Sequence, residues 1–160
     1  METLAPEISD YELERGKPMP SLNHSIVQSN LIMELGSRYR SQFRLLSEIN
    51  IDFGSEFRGM VPDIGIFPKM AANMADDSLA APMLPITTIE ILSPSQALSE
   101  LIGKANFCFQ FGIKSCWIVV PEVSGIFVYA APSQYAFFHK GQTLTDPATG
   151  IELPLAALFE

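Results

Sequence analysis

The sequence predicts a mixed α/β (α+β) fold in which helices lie against a central sheet, and three observations carry that prediction. Two proline-free stretches, Ser25 to Arg40 and Gln96 to Phe111, place apolar residues at helical spacing. Short apolar runs bounded by Gly, Pro and Ser read as strands. Their order is helix, three strands, helix, then further strands, which fits helices packed on a sheet rather than an array of repeats.

The first residues, up to Pro20, are acidic and then turn-like, because Gly16, Pro18 and Pro20 interrupt any continuous helix. We read residues 1–20 as a lead-in carrying at most a small edge strand, and residues 21–160 as one domain. Ser21 or Asn23 can cap the first long helix. Val27, Leu31 and Leu35 form one apolar stripe on it, while Leu22, Ile26 and Met33 form another, so the helix is expected to be covered on two sides. Strands are predicted at Phe43 to Phe53, Met60 to Phe67 and Leu84 to Leu92, with a long Ala-, Met- and Asp-rich loop from Pro68 to Pro82. Ser93-Pro94-Ser95 stops the third run, and the second helix runs on until Gly112 ends it. Cys116 to Val120, Ile126 to Ala130 and Tyr135 to His139 are further strands before the apolar close, Leu153 to Phe159.

Composition narrows the function. An apolar fraction of 48% supplies a core for 160 residues, and one Trp, four Tyr and eleven Phe are a large aromatic load that a homodimer would help to cover. The formal charge of −8 argues against tight nonspecific binding of DNA through basic surface. Arg38, Arg40 and Arg44, interleaved with Tyr39 and Phe43, are the one basic cluster, and they serve equally as a solvated helix end. Cys108 and Cys116 have no CxxC spacing, so a structural zinc site is not expected. The acidic start lacks a signal-peptide pattern and no apolar stretch is long enough to span a bilayer, from which a cytoplasmic protein with no membrane partner is expected.

Three charged residues stand out against this apolar background. Asp63, in Val61-Pro62-Asp63-Ile64-Gly65-Ile66-Phe67, has neighbours that do not seek solvent; it either meets a cation or caps a turn at a strand edge marked by Pro62. Glu90 is the sole charge of Ile86 to Leu92, and there a salt bridge would serve as well as a metal. Lys104 lies three residues after Leu101 and four before Cys108, on the apolar stripe of its helix, where it can reach over the sheet or pair with Glu100 and snorkel to water.

Pro62-Asp63, Glu90-Ile91-Leu92-Ser93-Pro94-Ser95, Glu100-Leu101-Ile102-Gly103-Lys104 and Cys116-Trp117-Ile118-Val119-Val120-Pro121-Glu122 together resemble the Uma-two family of restriction-endonuclease-like proteins, in the PD-(D/E)XK nuclease superfamily. The resemblance runs from about Tyr11 to the C-terminus. It implies a restriction-endonuclease-like core and a divalent-metal-dependent endonuclease that hydrolyses phosphodiester bonds of nucleic acid. Asp63, Glu90 and the carbonyl of Ile91 would hold Mg²⁺ or Mn²⁺, and Lys104 would act from the helix because Leu92 stands at the usual lysine position. Glu12, His24 and Glu100 would be accessory. The lead-in departs from the family's Tyr-Glu-Leu-Ile-Asp-Gly-Glu, since Tyr11-Glu12-Leu13-Glu14-Arg15-Gly16-Lys17 reverses charge at two positions, and Cys108 replaces a tyrosine. A second reading therefore stands beside the first: a catalytically inactive binding or scaffold protein of the same fold, whose three charged residues form a buried ion network.

Overall fold

The computed structural model describes residues 10–54 and 59–160, with the side chain of Arg15 outside the description. The reading of the acidic first residues thus falls almost wholly outside the described part. A six-stranded sheet organises the chain, with strands β1 to β6 in that spatial order: β1 (Phe43–Ser47), β2 (Ile64–Pro68), β3 (Thr87–Ile91), β4 (Ser115–Val120), β5 (Gly125–Ala131) and β6 (Gln134–His139). The first three strands are antiparallel, β4 runs parallel to β3, and β5 and β6 return antiparallel. The parallel step exists because α3 (Leu98–Gln110) carries the chain back between β3 and β4.

Helices occupy both faces. Helix α2 (Leu22–Tyr39) begins one step after Ser21, whose hydroxyl accepts the His24 N–H at 3.2 Å, the capping role expected of it. Its Val27, Leu31 and Leu35 pack against Ile64, Ile66, Ile89, Ile91, Trp117 and Val119. On the opposite face Leu101, Ala105 and Cys108 of α3 meet Cys116, Ile118 and Tyr129. Strand β4 shows why both layers can be apolar: Cys116 and Ile118 point to one helix, Trp117 and Val119 to the other.

The alternation also decides where charge can sit. On β3 Ile89 and Ile91 join the α2 layer, so Glu90 belongs to the α3 face.

Four expectations are corrected. The second stripe of α2 is not covered by the chain: Leu22 is 76% exposed and Met33 61%. Among its described residues the lead-in holds a short helix, α1 (Asp10–Arg15), instead of an edge strand, and the helix ends where Gly16 takes a left-handed φ of 67°. A hairpin of β7 (Thr143–Asp146) and β8 (Ile151–Pro154) closes the α2 layer, where the sequence offered only an apolar tail ending in what is a 3-10 turn, Ala156–Phe159. The predicted strand boundaries also overran, because β1 stops at Ser47 and Met60 makes only an isolated bridge to Ile51. Among the described residues no helix is long and apolar enough to cross a membrane.

A buried polar node pins that hairpin to the sheet. Asp146 accepts hydrogen bonds from Trp117 Nε1 at 2.8 Å, Ser115 Oγ at 2.7 Å and the Ala148 N–H at 2.9 Å, and Thr87 Oγ1 lies 2.6 Å from Ser115 Oγ. Removing the carboxylate leaves two buried donors, Trp117 Nε1 and Ser115 Oγ, without it. Asp146→Ala is therefore expected to destabilise the fold by about 3 kcal/mol, which thermal denaturation would register as a Tm lowered by roughly 6–12 °C. An unchanged Tm would mean the node contributes nothing.

Candidate metal centre

The candidate site forms at the end of the sheet where β2 begins and β3 ends. Asp63 is not inside the strand predicted from Met60 to Phe67; it sits in a bend immediately before Ile64. The pairing Ile64 with Ile89, continued by one residue, sets Asp63 opposite Glu90. Both carboxylates are buried, Glu90 at 6% exposure and Asp63 at 1%. Regular β2 pairing ends at Ile64, and although the Asp63 carbonyl still accepts the Glu48 N–H at 3.1 Å, the bend lets the Asp63 side chain turn toward the helices.

Asp63 is enclosed by donors from three elements. Lys17 Nζ lies 2.8 Å from Oδ1, while Oδ2 takes His24 Nε2 at 3.1 Å and the Ile91 N–H at 2.7 Å. Gln28 of α2 donates to the Asp63 carbonyl at 3.0 Å and holds the bend itself. Burial works to raise the Asp63 carboxyl, but the His24 hydrogen bond and the Lys17 charge outweigh it and hold the group below its ordinary value. Lys17 is likewise opposed by burial, and the Asp63 charge and hydrogen bond prevail and raise it. Breaking a buried pair of this kind from one side costs about 3–5 kcal/mol, so the contact strongly constrains the lead-in.

Glu90 has a poorer environment. Lys104 Nζ approaches Oε2 at 3.8 Å, with its own side chain 28% exposed, and Oε1 has no hydrogen-bond partner among the described residues. Burial first, and then the Asp63 charge, push the Glu90 carboxyl up to about 7, against the weaker pull of Lys104 and Lys17.

The sequence-predicted residues thus converge in part. Asp63, Glu90, Ile91 and His24 meet around one cleft of about 10 Å³, which Tyr11, Lys17, Ser93 and Gln96 also line. Lys104 reaches the site through Glu90, and its pairing partner is Glu90 rather than Glu100, which is exposed at the start of α3. Glu12 receives the Met19 N–H at 3.3 Å and braces the α1–α2 link. Ile91 meets Asp63 through its N–H, which brings its backbone beside both carboxylates. The basic cluster stands elsewhere: Arg38 and Arg40 line a shallow groove with Lys69, and fourteen residues of helix separate Arg38 from His24, about 21 Å. Arg38 also pairs with Glu34 at 3.7 Å, and Arg44 donates to the Met70 carbonyl at 2.8 Å.

Sequence reasoning missed Lys17 and Glu48. Lys17 Nζ also lies 3.5 Å from Glu48 Oε1, and Tyr11 donates to the same oxygen at 3.1 Å. The signal for Lys17 was present as the charge reversal beside Gly16. Glu48 gave none, since it comes after a strand like any solvated residue.

The residues fit a hard divalent cation by their chemistry. Two carboxylates and a backbone carbonyl are the oxygen donors Mg²⁺ accepts, with water completing the shell, and Glu90 Oε1 is a buried acceptor lacking a partner among the described residues. No cluster of three or more His, Cys, Asp or Glu side chains suited to a metal occurs among the described residues.

The raised Glu90 carboxyl has a measurable consequence. Between pH 4.5 and about 7 the folded chain keeps a proton that the unfolded chain has lost, so this group makes stability fall as pH rises through that window. With a chelator present, Glu90→Gln is expected to remove a slope of up to about 1.4 kcal/mol per pH unit. Urea denaturation of both proteins at several pH values checks this, and coincident slopes would show that Glu90 ionises as an ordinary carboxylate.

Comparison with known proteins bears on the fold and the family. A crystal structure described as a putative nuclease belonging to DUF820, from Anabaena variabilis ATCC 29413, superposes with a TM-score of 0.75 at 26% identity, covering 89% of this chain and 83% of that one. The cryo-EM structure of a DrdV–DNA complex aligns with a TM-score of 0.40 at 12% identity, over 84% of this chain and 13% of that one. Among curated proteins there is no match. The family model for Uma2, described as a putative restriction endonuclease, matches residues 2–156, and the chain belongs to that family.

Proposed function

We propose that the protein is a divalent-metal-dependent endonuclease that hydrolyses phosphodiester bonds of nucleic acid at the Asp63–Glu90 centre. The observation that carries this reading is the pair of buried carboxylates set opposite each other at the sheet end, one with an oxygen unpartnered among the described residues. Asp63, Glu90 and the Ile91 carbonyl would hold Mg²⁺ or Mn²⁺. Such an ion, when bound, supplies Lewis acidity toward the scissile phosphate and lowers the pKa of an attacking water.

The chain's own groups do the rest. Lys104, tethered on α3 and partly exposed, can turn from Glu90 toward a phosphate oxygen and stabilise the negative charge that develops there. Glu90, whose carboxyl is pushed up to about 7 by burial and the Asp63 charge without an ion, would give up its proton on taking one. His24 and the Ile91 N–H orient Asp63 from the other side. Assembly as a homodimer belongs to the proposal, supported by the exposed Leu22, Ile26 and Met33 of α2 and the Tyr135 and Phe137 of edge strand β6.

One observation favours the second reading, a scaffold with an internal ion network: both oxygens of Asp63 are already engaged by protein donors. Cleavage of single-stranded, duplex and branched DNA with Mg²⁺ or Mn²⁺ distinguishes the two. On the nuclease reading Lys104→Ala, with the fold intact, and Asp63→Asn, assayed below its lowered melting temperature, each lower the rate on the order of 10²-fold or more. A wild-type protein that neither cleaves any of these substrates nor gains thermal stability from either ion would remove that reading and leave the scaffold.

A further inference from the structure

The proposed function leaves the chemistry of Lys17 unused. Its ammonium is completely coordinated by the chain: Asp63 Oδ1 at 2.8 Å, Glu48 Oε1 at 3.5 Å and the Val61 carbonyl at 3.3 Å. Its side chain is only 7% exposed, an unusual position for lysine. Its charge acts on Glu90 as well as on Asp63. The ammonium thus already occupies an oxygen of one of the two carboxylates, the Oδ1 of Asp63.

Space leads to the same place. The cleft among Lys17, His24, Asp63, Glu90 and Ile91 measures about 10 Å³, room for about one water. Mg²⁺ retains several waters when held by two carboxylates, and that assembly does not fit beside the ammonium. Oδ2 of Asp63 is closed by His24 and the Ile91 N–H, so the oxygen an ion would take is Oδ1, the one Lys17 holds.

We propose that Lys17 is a tethered counter-cation that occupies the ion's place on Asp63, so that a divalent metal enters only by displacing the Lys17 ammonium from Oδ1. The inference rests on the metal-dependent reading of the Asp63–Glu90 centre. Lys17 is thus a self-blocking group supplied by the lead-in, from the turn between Gly16 and Pro18, and it compensates Asp63 until an ion binds while setting a threshold for that ion. Apparent metal affinity is reduced by the fraction of molecules in which Lys17 is seated.

Calorimetric titration with Mn²⁺ tests this without any assay of cleavage. Lys17→Met, which keeps the stem and removes the charge, is expected to bind Mn²⁺ at least tenfold more tightly than wild type and to melt at a lower temperature without metal. Lys17→Arg is expected to stay as weak as wild type. Should Lys17→Met fail to fold, wild-type protein suffices: acetylation of Lys17, followed by mass spectrometry with the exposed Lys140 as internal standard, is expected to accelerate at least fivefold on saturation with Mn²⁺. Mn²⁺ binding with equal affinity in wild type and Lys17→Met, or with no rise in Lys17 labelling, overturns the displacement and leaves the metal site standing. No Mn²⁺ binding by any of the proteins overturns the metal reading and the displacement together.

Discussion

The ionised carboxylate of Asp63, buried at the end of the sheet, is the constraint on which the rest of the site depends. A lone charge there would be prohibitively costly, and the chain answers with Lys17 from the lead-in, His24 from the first turn of α2 and the Ile91 N–H from the end of β3. Each donor comes from a different element. Their agreement on one side chain fixes how α1, α2 and β3 meet, and the Gln28 bond to the Asp63 carbonyl fixes the bend that carries it. The same contacts would be unremarkable at the surface, where solvent screens ion pairs to a fraction of a kcal/mol; burial is what gives them structural authority.

Sheet geometry then divides the two carboxylates between two chemistries. Glu90 lies within β3, so alternation commits it to the α3 face, where Lys104 is the cation within reach and approaches only to 3.8 Å. Asp63, one residue outside β2, escapes the alternation and turns to donors on the α2 side. The outcome is a pair with divergent acidities, one held low and one raised to about 7. Divergence of this sort marks sites where charge is arranged for use, although an ion network built for stability shares the same signature.

The range of the interactions decides how much of this was legible in the sequence. Helices α2 and α3 and strands β3 to β6 were legible because their apolar periodicity is local and strong. The β7–β8 hairpin was not, because Asp146 at its turn reads as a loop residue until Trp117 and Ser115 are seen to bind it across the core. The stripe of Leu22, Ile26 and Met33 misled for the opposite reason: periodicity reports what a helix could bury, not what lies beside it. In the site, Asp63, Glu90, Ile91, His24 and Lys104 were found from charge in apolar context and from the family resemblance. Lys17 lay in a segment with no periodicity, 46 residues from its partner, and a pairing over that separation has no local signal beyond the reversed charge.

The two functional readings of this fold reduce to two occupants of one position. With Lys17 seated, Asp63 is compensated and Glu90 is not, since neither Lys104 at 3.8 Å nor the Lys17 charge seated on Asp63 brings the Glu90 carboxyl back to its ordinary range. The two lysines therefore leave the pair short of positive charge. On the metal-dependent reading a divalent ion supplies the missing charge and engages the unpartnered Glu90 oxygen, at the cost of expelling an ammonium that is itself well coordinated. On the scaffold reading the deficit persists, and Glu90 takes up a proton instead. Nuclease and inert relative would then differ in which cation the Asp63–Glu90 pair holds, while the sheet, the helices and both cores remain the same.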